Sequence, residues 1–324
     1  MPSIRDIRRR MKSVQNTGKI TRAMEAVAAT KMRKAQQVAL AARPYAEKAL
    51  EILGRISDKT EHIHWLLEAR SVERMALILV TSDKGLCGVL NHNVLHRFEE
   101  FAESHREFVK TGKCDFVAVG NYGAKYLKRR GFAVAREFSG VGDYAKLDES
   151  RPVADFILGA YHTRTYDQVF AIYTNFVSTL KQAAVLRQVL PLTQAAIEGI
   201  AGLERGAKDH TRTKAHSNPS TIRAKGSTAS PMAGGAYFYE YTFEPSPKEV
   251  LEMLLPALVR VRIHQIILES NASEHSARMI AMKNASDNAE ELFEELQLSF
   301  NKARQAGITR EIAEITAGAA ALEA

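Results

Sequence analysis

A helix-forming stretch from residue 248 to about residue 322 constrains the fold of this chain more than any other feature. It begins with Ser246 as N-cap, Pro247 at the first helical position and Glu249 completing a capping box. A single helix of this length would measure roughly 110 Å at 1.5 Å per residue. No globular core needs such a helix, whereas a coiled coil does. The one objection is Pro256, which predicts a kink or a later start.

Apolar and small residues repeat along this stretch with alternating spacings of three and four, which is the heptad pattern of a coiled coil. The seam comprises Ala272, His275, Met279, Met282, Ser286, Ala289, Phe293, Leu296, Phe300, Ala303 and Gly307. Ile308, Ile312 and Ile315 continue it one residue out of step. Because Ala, Ser, Gly and His replace Leu at many positions, the seam is weak for a self-sufficient zipper. It favours a close-packed partner or a surrounding sleeve.

The first 58 residues predict the partner helix. Ser3 can cap it, and Asp6 lies near the positive end of its dipole. Its apolar stripe comprises Ile4, Ile7, Met11 and Val14, then Ile20, Met24 and Val27. The gap at residues 16–18 predicts a change of register. Pro44 predicts a kink or the end of the helix.

Between the two helical ends, buried-strand patterns alternate with helix patterns. The predicted strands are 74–80, 115–119, 132–138, 168–177 and 183–190, and the predicted helices are 91–110, 122–130 and 153–166. Such alternation predicts an α/β sandwich with a largely parallel sheet. The fold class is therefore α/β, with a long antiparallel coiled coil of N- and C-terminal helices and a central Rossmann-like sandwich domain. The predicted domains are 1–58, 72–246 and 247–324.

An insertion at 193–235 interrupts the central domain. From residue 207 onward, Ile222 and Met232 are its only large apolar residues, and the rest cannot bury enough surface to offset the entropy of ordering. We expect a flexible surface element there. The alternating aromatic segment Tyr237–Phe243 predicts a strand that returns the chain to the long C-terminal helix.

The residues give no pattern for catalysis, a cofactor or a metal. Neither Gly-Lys pair completes a phosphate-binding loop, and the turn at 120–123 is better explained as a tight strand-to-helix connection than as a dinucleotide site. His92 and His96 have no adjacent third ligand and are expected on a solvated helix face. Cys87 and Cys114 are expected as small buried residues. We expect no enzyme activity, no cofactor and no metal.

The net charge of +8 has its origin in the N-terminal arm, residues 1–40, which hold ten basic and two acidic residues. Such asymmetry indicates an acidic partner: nucleic acid, an anionic membrane or an acidic protein surface. A nucleic-acid arm would usually add stacking aromatics, and none occurs before Tyr45. The alternative is a solvated helix oriented inside an acidic environment. The Arg-rich start also has the composition of a transit peptide, but its apolar pattern continues past any cleavage point.

Specific runs of residues stand out at both ends of the chain. Toward the N-terminus they are 4–10, 13–17, 19–28 and 31–36, followed by 82–88 and Asn91. Toward the C-terminus they are 269–270, 272–275, 277–279, 281–282, 284–285, 287–289, 301–306 and 308–319. These runs resemble the gamma subunit of F-type ATP synthases. Residues 92–192 match mainly in pattern.

The resemblance implies a rotor shaft. The terminal helices would form an antiparallel coiled coil inside the ring of alpha and beta subunits, with ATP chemistry on beta. The α/β domain would contact the epsilon subunit and the membrane-embedded rotor ring of c subunits, and the complex would also contain delta. The chain would then lie peripherally on the cytoplasmic face of a bacterial inner membrane and bind no nucleic acid.

The resemblance also implies roles for individual residues. Coupling to beta would involve Met24, Arg304, Gln305, Thr309, Glu311 and Glu314, and a second contact loop would include Lys84. Acidic loops of beta would face Lys31, Arg33 and Lys34 of the N-terminal arm. Contacts to epsilon and the rotor ring would involve Tyr237, Tyr239 and Tyr241.

Two departures from the family pattern accompany the resemblance. The insertion at 193–235 exceeds that of typical bacterial members, and it lacks the cysteines of the redox insertion in plant chloroplast members. The segment 261–265 differs from the aromatic-bearing sequence that is usual in the family, so the resemblance does not predict how it packs. Two alternatives to the rotor remain at this point: a basic coiled-coil protein that binds nucleic acid, and a degenerate Rossmann-type enzyme.

Overall fold

A computed structural model describes residues 3–57, 64–68, 70–141, 146–192 and 244–323. The chain divides into two compact units. The coiled-coil unit comprises Met1–Thr30, Leu86–Gly88 and His275–Ala324, and the sheet unit comprises Lys31–Gly85 and Val89–Glu274. The two long terminal helices each contribute residues to both units.

The elements follow the predicted alternation of helix and strand. The helices are α1 Ile4–Ser57, α2 Leu90–Ser104, α3 Arg106–Lys110, α4 Asn121–Arg129, α5 Leu147–His162 and α6 Pro247–Glu323. The strands are β1 Met75–Val80, β2 Cys114–Val119, β3 Val134–Phe138, β4 Gln168–Phe176 and β5 Gln182–Leu190. The largest boundary difference is α5, which begins at Leu147 rather than at residue 153 and ends at His162 rather than at residue 166.

The five strands form one sheet in the order β3-β2-β1-β4-β5. β1 pairs in parallel with β2 and β4, and β2 pairs in parallel with β3. β5 runs antiparallel to β4. The largely parallel sheet is therefore confirmed. All six residues of β1 are buried, as expected for a central strand covered on both faces.

Alternating residues of the central strands divide the core into two layers. On one face Ile78 and Val117 pack with α5 and with α6 residues between Leu251 and Leu268. On the other face Leu77 and Phe116 pack with α2 and α4. The sheet unit is thus a three-layer α/β sandwich.

The coiled-coil unit pairs α1 with α6 in antiparallel orientation. Arg8 lies over the Phe300 ring, 5.6 Å from Cζ to the ring centroid. Further along, Thr21 Oγ1 and Ser286 Oγ share a 2.6 Å hydrogen bond. As the position on α1 rises, its partner on α6 falls, which confirms the predicted antiparallel coiled coil. Every seam position from Met282 to Gly307 is buried or half-buried, and apart from half-buried Ala285 the residues between them are exposed.

The predicted change of register on α1 is wrong. Gly18 and Thr21 continue the inward face, while Ile20 and Val27 are 60% and 55% exposed. The reason is that small residues fill the seam here: a Cβ on Gly18 would lie 3.5 Å from Ala289 Cβ, and Thr21 bonds Ser286. The apolar pattern of the sequence pointed to side chains that face outward instead.

Neither Pro44 nor Pro256 marks the end or the start of a helix. α1 continues past Pro44 to Ser57, so the predicted helix end at Pro44 is wrong. α6 begins at Pro247 and contains Pro256, so the predicted late start at Pro256 is also wrong. The predicted start of α6 is confirmed. Ser246 Oγ donates to Glu249 Oε1 at 3.0 Å and accepts the Glu249 backbone N–H at 3.3 Å.

The insertion at 193–235 and the segment Tyr237–Phe243 lie outside the described residues. Segment 261–265, by contrast, is well packed. Arg262, His264 and Gln265 are 3%, 7% and 8% exposed, so polar side chains are buried in the sheet unit. Gln265 Nε2 donates to Glu269 Oε1 at 3.0 Å. Burial raises the pKa of Glu269, and the nearby Arg262 guanidinium opposes that shift.

The surroundings of His264 predict that the stability of the sheet unit depends on pH. Its Nδ1 lies 3.0 Å from Ser150 Oγ, which donates its own proton to the Leu147 carbonyl, so Nδ1–H donates to Ser150. Burial lowers the pKa of His264 from 6.5, and Glu149 opposes the shift less strongly. Burial also lowers the pKa of His64, opposed by Glu252.

We expect His264→Asn to reduce this pH dependence. The unfolded chain binds a proton near pH 6.5 and the folded chain only at lower pH, so stability falls as pH drops below about 6.5. Asparagine keeps an N–H donor for Ser150 but does not titrate. Urea unfolding between pH 5 and 7.5 should show a slope lower by up to about 1.4 kcal/mol per pH unit. Equal slopes for both proteins would contradict the assignment.

Candidate contact surfaces and the loop after the first strand

The C-terminal end of α6 extends beyond its partner helix. A Cβ on Gly307 would lie 3.6 Å from Ile4 Cδ1, and Ile4 is the first residue of α1. The residues from Ile308 to Glu323 therefore continue past the start of α1. At 1.5 Å per residue this extension is about 24 Å long.

Large apolar side chains are exposed on this extension. Ile308, Ile312 and Ile315 are 50%, 57% and 71% exposed. Their spacings of four and three place them on one helix face. A single exposed isoleucine needs no explanation, but an aligned row of three on a helix without a described partner indicates a surface that another chain covers.

The C-terminal residues to which the family resemblance gives a coupling role lie on this extension and just before it. Arg304, Gln305, Thr309, Glu311 and Glu314 are all exposed. The Thr309 hydroxyl donates to the Gln305 carbonyl at 3.0 Å, so it is satisfied within the helix. The segment therefore offers charged and apolar side chains together.

The outer face of α1 in the coiled-coil unit is also partly apolar. Ile20 and Val27 are exposed, and Met24 beside them is half-buried. On the same unit Arg22 forms a 2.7 Å ion pair with Glu290, and both side chains are more than 60% exposed. Such a surface pair contributes at most about 1 kcal/mol. The outer face of the paired helices thus combines basic and apolar groups.

The remaining predicted coupling residues belong to the sheet unit. Arg33 and Lys34 are exposed on α1, Lys31 is half-buried there, and Lys84 is exposed on the loop after β1. Tyr237, Tyr239 and Tyr241 fall in the part of the chain that the structure does not describe.

The loop after β1 is tied to its neighbours by side-chain hydrogen bonds that the sequence analysis did not predict. Asp83 Oδ1 accepts the Asn121 N–H at 2.9 Å, and Asp83 Oδ2 accepts the Gly140 N–H at 3.0 Å. Asn91 Oδ1 accepts the Ser82 N–H at 3.1 Å. The available signal was the run Thr81-Ser82-Asp83 directly after a buried strand, where side-chain oxygens can cap a neighbouring helix.

The same residues fill the N-terminus of α4. Its first three backbone N–H groups donate to Asp83 Oδ1, to the Ser82 carbonyl at 3.1 Å and to Thr81 Oγ1 at 2.8 Å. In dinucleotide-binding folds the corresponding groups hold a phosphate. Here the protein's own oxygens occupy them, so the turn at 120–123 is a structural connection, as the sequence indicated.

The other candidate reactive residues have structural surroundings. His92 and His96 are exposed on α2, and His96 Nδ1 lies 3.3 Å from Glu100 Oε1, which confirms the solvated face. Cys87 and Cys114 are buried as predicted, and burial raises the pKa of the Cys114 thiol to about 12. Within the described ranges no group of three His, Cys, Asp or Glu side chains could hold a metal ion.

Among the described helices, none is both long enough and apolar enough to cross a membrane.

The whole sequence is similar to one protein family. A family model described as ATP synthase matches residues 3–322. The "ATP synthase gamma chain" of Chloroflexus aurantiacus is 40% identical over 326 residues, which cover 99% of each chain. The protein of the same description from Nitrosomonas europaea is 40% identical over 324 residues, covering 99% of this chain and all of the relative.

Solved structures share the fold. A chain from the mitochondrial ATP synthase of Euglena gracilis, in an assembly described as OSCP/F1/c-ring, aligns with a TM-score of 0.60 at 15% identity. The alignment covers 98% of this chain and 94% of that one. A central stalk/c-ring structure from Tetrahymena thermophila gives a TM-score of 0.54 at 22% identity, covering 82% of this chain and 99% of that one.

Proposed function

The chain belongs to the ATP synthase gamma chain family, and from this premise we propose that it is the rotating central-stalk subunit of a proton-translocating F-type ATP synthase. Its coiled coil turns inside a ring of alpha and beta subunits and couples ion flow to ATP synthesis or hydrolysis. ATP chemistry takes place on beta, and this chain is not itself an enzyme. Nothing in the family match or among the relatives named above supports the nucleic-acid alternative.

The observation that carries this proposal is the slim antiparallel pair of α1 and α6, with α6 continuing past the first residue of α1. A shaft inside a ring must be narrow, and the small residues Gly18, Ala289 and Gly307 allow the two helices to approach closely. A shaft must also present different faces to its surroundings. The exposed isoleucines after Gly307 provide one such face, and basic groups of α1 provide another.

We assign contact with beta to the residues implied by the family resemblance. They are Met24, Lys31, Arg33, Lys34, Lys84, Arg304, Gln305, Thr309, Glu311 and Glu314. Support comes from the exposure of eight of them, with Met24 and Lys31 half-buried. Single neutralisations of Lys31, Arg33 or Lys34 should have small effects, because contacts that form and break in each turn cannot be individually strong.

The partners at the membrane end are assigned in the same way. Epsilon and the c-ring would contact Tyr237, Tyr239 and Tyr241, and delta would complete the complex. The chain would be peripheral to the cytoplasmic face of a bacterial inner membrane. The three-domain division at 1–58, 72–246 and 247–324 also stays a proposal.

Purification of the assembled enzyme tests the function. A tag on beta, coexpressed with alpha, epsilon and this chain, should recover all four proteins as an active ATPase. A variant truncated after Gly307 keeps the described helix pairing and should support less activity. Recovery of the chain alone, or on nucleic acid with a steep loss of affinity as salt rises, would contradict the proposal.

A further inference from the structure

We propose that Asp83 is a positioning residue for coupling: its carboxylate fills the anion-binding end of α4 and thereby fixes the loop that carries Lys84. This inference rests on the proposed function, since Lys84 matters only if its loop contacts another subunit. The family resemblance places Lys84 and its neighbours in a contact loop but gives the Asp83 carboxylate no role of its own.

The Asp83 carboxylate, in the loop after β1, bonds to the backbone just after β2 and just after β3. One oxygen accepts the N–H of Asn121, the first residue of α4, which follows β2. The other oxygen accepts the N–H of Gly140, which follows β3. Backbone N–H groups at a helix start carry partial positive charge, so they favour a carboxylate over a neutral group. The two bonds hold the loop after β1 against both neighbouring connections.

Neighbouring side chains restrain the same loop from its other side. Asn91 Nδ2 donates to Ser82 Oγ at 2.6 Å, and Ser82 Oγ donates to the Lys84 carbonyl at 2.7 Å. Both Ser82 and Asn91 are less than 5% exposed. The backbone on each side of Asp83 is therefore tied down, and Lys84 projects from a fixed base.

A fixed base matters because the residues beyond it are intrinsically permissive. Gly85 follows Lys84 directly, and Gly88 has a positive φ of 60°. A loop of this composition would sample many conformations without side-chain anchors. A loop that transmits force to a partner must instead resist displacement. The Asp83 bonds supply that resistance without touching the partner.

The rival explanation is that Asp83 only stabilises the fold. It predicts that loss of Asp83 weakens the sheet unit but leaves coupling intact in enzyme that has assembled. Our inference predicts that Asp83 and Lys84 act through the same contact, so their effects on coupling are not additive.

The test uses the assembled enzyme in inverted membrane vesicles and measures protons pumped per ATP hydrolysed. The variants are Asp83→Ala, Lys84→Ala and the double variant, with Asp148→Ala as a matched control. Asp148 is an exposed carboxylate at the start of α5, and its ion pair is with Arg151 of the same helix. Asp83→Asn, which keeps an acceptor oxygen but loses the charge, is a milder variant if Asp83→Ala does not assemble.

We expect Asp83→Ala and Lys84→Ala to lower the coupling ratio by similar factors, and the double variant to be no worse than the lower of the two. Asp148→Ala should match the wild type. Amide exchange at Asn121 and Gly140 should accelerate about tenfold or more in Asp83→Ala, since each loses a charge-assisted hydrogen bond.

Three results would overturn the inference. They are multiplicative losses in the double variant, faster exchange with unchanged coupling, or full coupling in Lys84→Ala, which would leave Asp83 nothing to position. Failure of the proposed function itself has a different signature, because the wild-type chain would then not assemble into a coupled ATPase.

Discussion

Replacing Gly120 with alanine should destabilise the sheet unit by about 3 kcal/mol or more, or prevent its folding. Gly120 joins β2 to α4 with φ at +96°, a conformation that L residues rarely adopt. A Cβ there would lie 2.1 Å from the Thr81 carbonyl oxygen and 2.8 Å from its carbon. Both are backbone atoms of the residue after the central strand, so neither can move without disturbing the sheet. Chemical denaturation followed by circular dichroism measures the loss.

Alanine substitutions at two other glycines distinguish the effect of steric overlap from the effect of backbone strain. Gly131 also has a positive φ, +78°, but a Cβ there meets nothing within 4 Å, so Gly131→Ala should cost only about 1–2 kcal/mol. Gly85 has neither constraint, and Gly85→Ala should not destabilise. If Gly120→Ala unfolds at the same denaturant concentration as Gly131→Ala, the close approach to Thr81 is not real.

Local sequence patterns predicted much of the fold because most strands and helices keep a regular pattern of apolar residues. β1 is buried at every position and α6 keeps its heptad seam after Met282, so both elements could be recognised from the sequence. α1 misled because its inward positions are small or polar at Gly18 and Thr21. Ile20 and Val27 face outward instead, so their positions are explained by contact with the proposed beta subunit and not by packing within this chain.

The contact surfaces were less predictable than the elements. The family resemblance indicated Arg304 and its neighbours as contact residues. The row of exposed isoleucines is recognisable as a surface only from the structure, which shows that α1 begins opposite Gly307. The role of Asp83 depends on Asn121 and Gly140, which lie 38 and 57 residues away in the sequence. Hydrogen bonds between residues so far apart in the chain produce no repeating pattern in the sequence, so they can be found only from the structure.

A disulfide formed by oxidation between the thiol introduced by Arg304→Cys and a cysteine introduced on the facing surface of beta should abolish ATP turnover in the cross-linked enzyme. Arg304 is exposed near the start of the proposed contact segment, so the substitution should leave the fold intact. The native thiols of Cys87 and Cys114 are buried and should not compete for oxidation. If the chain must turn relative to beta in every cycle, one covalent link between them stops ATP turnover on beta.

The matched control places the cysteine at Arg129, which is exposed on α4 of the sheet unit and outside the proposed contacts with beta. This variant should give no cross-link to beta and keep full activity through the same oxidation.

The most direct test of the rotor is therefore the ATPase rate of the Arg304→Cys enzyme before oxidation, after oxidation and after reduction. We predict full activity, then loss of activity in proportion to the cross-linked fraction, then recovery on reduction. Undiminished ATP hydrolysis by fully cross-linked enzyme would contradict the claim that this chain rotates against beta.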